Sequence, residues 1–159
     1  MVGAITWYDW FKAAHVLASV VWVGGGTILA VLALRTRRAG DPLQMVHIAK
    51  QAEWVGTRIF TPLSLLLLAF GFGMMENGAS PWSYGDFWVD FGLGVWGASF
   101  LIGAGFLGPE SGRLAKVLAS RGAEDPEVRR RIDRILLVVR LDEALLLLAV
   151  FDMTAKPFL

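Results

Sequence analysis

From Ala13 to Leu34 the chain is apolar and uncharged except for one histidine, His15. A run of that length matches the roughly 20 apolar residues, rising 1.5 Å each, that cross the hydrocarbon of a bilayer. Two more uncharged runs follow, Ile59 to Met75 and Phe91 to Pro109. A fourth segment, Ile135 to Phe151, carries Arg140, Asp142 and Glu143 near its start and is wholly apolar from Ala144 to Phe151. The pattern predicts an all-α integral membrane four-helix bundle with spans near 10–34, 56–76, 88–108 and 135–156, one domain over residues 1–159. For the fourth segment an amphipathic helix lying on the surface is the alternative. The first run is preceded by Trp7, Tyr8, Asp9 and Trp10 rather than a basic stretch, so it reads as a retained span and not as a cleaved signal.

The polar segments set orientation. Arg35, Arg37, Arg38 and Lys50 lie between the first two spans. Arg113, Lys116, Arg121, Arg129, Arg130, Arg131 and Arg134 lie between the last two, and the connection Asn77 to Asp86 has no basic residue. The positive-inside rule then puts both basic loops in the cytoplasm and both termini outside, in a multi-pass protein of the cell (inner) membrane. Trp7, Tyr8, Trp10, Trp82, Tyr84 and Trp88 gather on the outer side as an aromatic belt. Asp41-Pro42 and Asp125-Pro126 are helix starts, an aspartate to take orphan N–H groups and a proline where no donor is needed. Helices two and four therefore begin in the cytoplasm and extend well beyond the bilayer. Gly40 and Gly122 precede these caps, and the repeated layout leaves an ancient duplication of a helical hairpin open.

Composition agrees with lipid as the main solvent: 55% of the 159 residues are hydrophobic and 18% charged, and the mean hydropathy is +0.55. A net charge of +1 draws no nucleic acid. With no cysteine, disulfides, thiolate metal sites and catalytic thiols are excluded. The glycines at 24–26 and at 92, 94, 97, 103, 105 and 108 read as close-packing positions on membrane helices, not as a phosphate loop.

Ionisable groups in a bilayer need a partner or a purpose. An outer cluster comprises Lys12 and His15 on the first span, Glu76, Asp86 and Asp90 on the second and third, and Asp152 and Lys156 on the fourth. Trp22, seven residues past His15, shares its face about two turns deeper. Met74, Met75 and Met153 stand at comparable depth. Imidazole with thioether is a ligand set for haem or copper. A histidine hydrogen-bonded to Asp152 or another outer acid, tying helices one and four, is the alternative. An inner cluster of Glu53, Arg58, Arg140, Asp142 and Glu143 reads as interhelical ion pairs that fix register. His47 lies some 30 Å or more from His15 along the helices and cannot share one haem with it.

Several motifs together carry a resemblance. They are Trp10-Phe11-Lys12 leading into His15, Trp22 to Gly26, Gln51-Ala52 before Val55-Gly56, Ile59-Phe60-Thr61-Pro62, Leu107-Gly108-Pro109, Asp125 to Val128, Arg140-Leu141-Asp142, and Phe151-Asp152-Met153 with Lys156-Pro157. Over nearly its whole length the chain resembles the predicted integral membrane family catalogued as domain of unknown function 2269, which has four predicted spans. Lys12, His15, Trp22 and Gly24 are also similar to the first helix of copper-resistance D type proteins and of the membrane-bound protoporphyrinogen oxidase, which binds haem b. That likeness implies that His15 matches the histidine those groups place at the start of their first span.

Three functions follow as expectations. One is a redox-related protein with haem b or copper on His15, Trp22 walling the site, Lys12 and Asp152 beside it and Met153 or Met75 as further ligand. The second is a non-enzymatic accessory, assembly or self-associating subunit, as a homo-oligomer or in a larger membrane complex. The third is a small transporter or ion pathway, for which Pro62 is the one broken-helix signal.

Overall fold

The computed structural model describes residues 5–76 and 80–156. Asn77, in the connection that has no basic residue, and Pro157, in the terminal motif, lie outside them. The described residues form helices and no strands. Four rods result: α1, Trp7–Ala39; α2, Pro42–Glu76; α3, Phe87–Arg121; and α4, Pro126–Ala155. The first three are long and apolar enough to cross a membrane.

The helix starts follow the local chemistry. Thr6 and Asp9 cap α1 reciprocally, each side chain bonding the other's backbone N–H. The Thr6 backbone bond holds the exposed Asp9 carboxyl below the usual carboxylate range. Asp41 accepts from the N–H groups of Leu43 and Gln44, and Asp125 from that of Glu127, so α2 and α4 begin at the two prolines. Gly40 ends α1 in the left-handed region at φ 74°, where a side chain would be strained.

Both α2 and α3 contain a π-helical turn, Gly56–Phe60 and Ile102–Leu107. Each ends two residues before a proline, Pro62 and Pro109. Proline has no N–H to give the carbonyl four residues back, and its ring crowds that carbonyl. The wider turn relieves both problems, with Thr61 N–H bonding Gly56 O and Gly108 N–H bonding Gly103 O. The helix carries Pro62 through this inserted residue.

In the apolar half, α2 packs along α1, α1 along α4, and α4 along α3, while the basic-end halves of α2 and α3 meet directly. Trp96 Nε1 donates to Ser64 O at 3.0 Å across the α2–α3 gap. Met45, Val46, Ala49, Leu114, Val128, Ile132 and Leu136 form one buried cluster at the arginine-rich end. Elsewhere large apolar side chains face outward, among them Leu17, Val20, Ile28, Leu101 and Leu148, as a lipid-facing surface requires.

Close helix approach rests on two glycines of the α1–α2 seam. A Cβ on Gly73 would stand 2.9 Å from Phe11 Cδ1, and one on Gly25 would stand 2.9 Å from the Phe60 ring. A phenyl ring cannot yield as a flexible chain end does. Gly73→Ala should therefore be less stable by about 2 kcal/mol than Gly94→Ala, whose Cβ meets nothing within 4 Å. Thermal unfolding of the two variants in the same detergent measures the difference.

Candidate functional site

α1 carries His15 at the α1–α2 seam. Its Nδ1 lies 2.9 Å from Leu67 O, and the ring rests against Gly71. A carbonyl only accepts, so Nδ1 carries a proton, and in the neutral ring Nε2 then keeps its lone pair. A backbone carbonyl on one nitrogen is how metal-binding imidazoles are commonly oriented, with the other nitrogen left to coordinate. The expected hydrogen bond from His15 to Asp152 is thus replaced by one to a main-chain oxygen of the neighbouring helix.

The other members of the outer cluster disperse. Met153 belongs to the α3–α4 seam, where its methyl fills the space over Gly92 so fully that a Cβ there would stand 2.1 Å from it. Met75 Sδ receives the Ser80 hydroxyl at 3.9 Å. Met153 is thus held in a different seam from His15. Lys12 is exposed, Trp22 half-buried. Glu76 accepts from Tyr84 OH at 2.9 Å, a bond that pushes the Tyr84 phenol up. Asp86 accepts from Ser83 N and Asp90 from Gly85 N. Lys156 sets its ammonium 3.8 Å from the centre of the Trp82 ring and 4.9 Å from that of Trp88, which meets Trp82 edge-on. Asp152 is 3% exposed, and its Oδ2, like Trp88 Nε1, has no hydrogen-bond partner among the described residues. Among the described residues no three histidine or acidic side chains gather as a metal site.

The inner cluster differs from the expected ion pairs. Among the described residues Glu53, Arg58, Arg140, Asp142 and Glu143 form no ion pair within 4.0 Å. Arg58 and Arg140 are exposed, so their long stems carry the charge away from the interior. The two acids take hydroxyls instead: Asp142 meets Ser99 Oγ of α3 at 2.5 Å, and Glu143 meets Thr27 Oγ1 of α1. Sequence reasoning missed Thr27 and Ser99, because nothing in their spacing marks them as partners of residues 116 and 43 positions away.

The ion pairs that do form lie at the arginine-rich end. Arg131 bonds Glu110 at 2.5 Å and Glu127 at 2.7 Å; Arg113 reaches Glu110 at 3.4 Å, and Arg121 reaches Glu127 at 2.6 Å. Glu110 is 2% exposed. The Arg131 guanidinium holds the Glu127 carboxyl below the usual range, and Glu127 in turn raises Arg131. Arg37 and Asp133 join α1 to α4 at 2.8 Å.

Residues 9–157 match a family model described as a predicted integral membrane protein (DUF2269). No curated protein and no solved structure matches the chain significantly.

Proposed function

The chain belongs to the DUF2269 family of predicted integral membrane proteins, and from that premise we propose a four-span protein of the cell membrane that holds haem b or copper on His15 and serves a redox-related role. In this reading the arginine-rich end faces the cytoplasm and both termini face outward. The single observation that carries the cofactor reading is the His15–Leu67 bond, which fixes the ring and leaves Nε2 as a ligand. The donor set fits a group held chiefly through one protein nitrogen, since Met153 packs over Gly92 in the α3–α4 seam. Haem b or copper would supply one-electron chemistry, His15 would orient it, and the apolar flanks of α1 and α2 would exclude water.

Protein purified from haem- and copper-replete cells should show a Soret band or stoichiometric copper. His15→Ala should lose that signal while retaining its helical circular dichroism. A colourless, copper-free preparation ends the cofactor reading.

A second reading, an accessory or self-associating subunit, is favoured by the open glycines of α3. Nothing stands within 4 Å of a Cβ at Gly94, Gly97, Gly103 or Gly105, which leaves room for another helix to approach. In that case His15→Ala changes stability or co-purification and no spectrum.

A further inference from the structure

We infer that α4 enters the bilayer loaded with protons: Asp152 is a neutral carboxylic acid, and the adjacent Asp142 and Glu143 hold at least one proton between them. The inference rests on the reading of α4 as a fourth span. It stands apart from any cofactor at His15.

Three other rods meet the length and hydropathy of a membrane span, and α4 carries Arg140, Asp142, Glu143 and Asp152. Three of these four are acids whose side chains are buried or half-buried, and none has a cationic partner within 4.0 Å among the described residues. An ionised acid in that position needs either a cation or several donors. Neither is present, and neutralisation by a proton is the remaining remedy.

Asp152 is the clearest case. The residue is 3% exposed, and Oδ2 is buried and has no partner among the described residues. Lys156, on its own helix, turns to the Trp82 and Trp88 rings. Lys12 of α1 faces Lys156. On α3, Trp88 Nε1 makes no hydrogen bond among the described residues, and Asp86 and Asp90 bond backbone N–H groups of the preceding loop.

The inner pair follows from counting protons. The Thr27 hydroxyl has one hydrogen and two acceptor-type neighbours, Val23 O at 2.9 Å and the Glu143 carboxyl. A carbonyl has nothing to donate, so one of the two contacts needs a proton from elsewhere. Glu143 is the group that can supply it, giving a chain in which Glu143 donates to Thr27 and Thr27 donates to Val23. Asp142 has a single donor, Ser99, and an acid as its neighbour in sequence. Two adjoining carboxyls in low dielectric favour sharing a proton over holding two charges. Arg140 of the same helix and Arg58 of α2 are exposed, and Glu53 of α2 is half-buried. The two sites lie about 15 Å apart along α4, so the helix presents proton-binding groups at two depths.

Infrared difference spectroscopy of the full chain in liposomes at neutral pH tests this. Carboxylic C=O bands that shift in heavy water should be present. Asp152→Asn should remove one component and Glu143→Gln or Asp142→Asn another, each amide replacing a neutral acid at nearly constant shape. Amplitudes unchanged in these variants, or no such band in the wild type, overturn the inference. The triple amide variant adds a second readout. Acids held neutral in the fold but ionised on unfolding contribute stability at low pH that is lost as pH rises. The wild type should therefore lose thermal stability relative to the triple variant as pH rises from about 4 through neutrality. The same dependence on pH in both proteins, or a triple variant that fails to fold, counts against it. Labelling of single cysteines at the two ends of α4 from opposite sides of the vesicle tests the span itself. A transmembrane α4 without acid bands rejects the inference alone; an α4 labelled at both ends from one side rejects the span.

Discussion

Leu114→Ala is expected to destabilise the protein by about 3 kcal/mol, within the range found for buried leucine truncations. Leu114 is 1% exposed and stands in the one buried cluster, among Met45, Val46 and Ala49 of α2 and Val128, Ile132 and Leu136 of α4. That cluster lies at the arginine-rich end, where water rather than lipid surrounds the helices in the proposed orientation. There the hydrophobic effect acts at full strength, whereas lipid-facing leucines gain little from leaving lipid for protein. Leu101→Ala, at a side chain 70% exposed, serves as the control. Denaturation by sodium dodecyl sulfate in mixed micelles, followed by circular dichroism, should separate the two variants clearly.

Arg131→Ala should cost a comparable amount, about 3 kcal/mol, for an electrostatic reason. Its removal leaves the 2%-exposed Glu110 carboxylate with Arg113 alone at 3.4 Å. An unmatched buried charge costs more than the intact pair ever contributed. Arg131→Lys should fall between, because an ammonium cannot bridge Glu110 and Glu127 with the spread of a guanidinium. The same variant reports on pH. The Glu127 carboxyl sits below its usual range because Arg131 bonds it. Its contribution is present at neutral pH and is lost as pH falls through that lowered value. Acid unfolding profiles should show this loss in the wild type and a flatter course in Arg131→Ala.

The sequence was most legible where chemistry is local. Asp41-Pro42 and Asp125-Pro126 marked the starts of α2 and α4 to the residue, because an aspartate cap and an N1 proline act within one turn. The three uncharged runs fell within helices able to cross a membrane, since hydropathy needs no tertiary partner. The polar partners were another matter. Spacing put Glu53, Arg58, Arg140, Asp142 and Glu143 at similar depth, yet depth does not say which way a side chain points around its axis. Arg58 and Arg140 turn outward, and hydroxyls of α1 and α3 take the acids. The apolar run marks His15 as an exception, but its acceptor, Leu67 O, is a main-chain atom that any residue at that position could have provided. Met153 and His15 looked like neighbours because they share a level, and the helices separate them by seam.

The widened turns before Pro62 and Pro109 have a further consequence. One supernumerary residue in an α-helix rotates everything after it by about 100° relative to everything before. In α2 and α3 the stripe that meets oil and the stripe that meets the aqueous-side core are therefore out of phase. Each can be tuned by substitution without disturbing the other. Excising a single residue from either turn would swing half of the rod to the wrong azimuth, exposing Met45 and Val46 or withdrawing Leu114, even though every amino acid that packs would still be there.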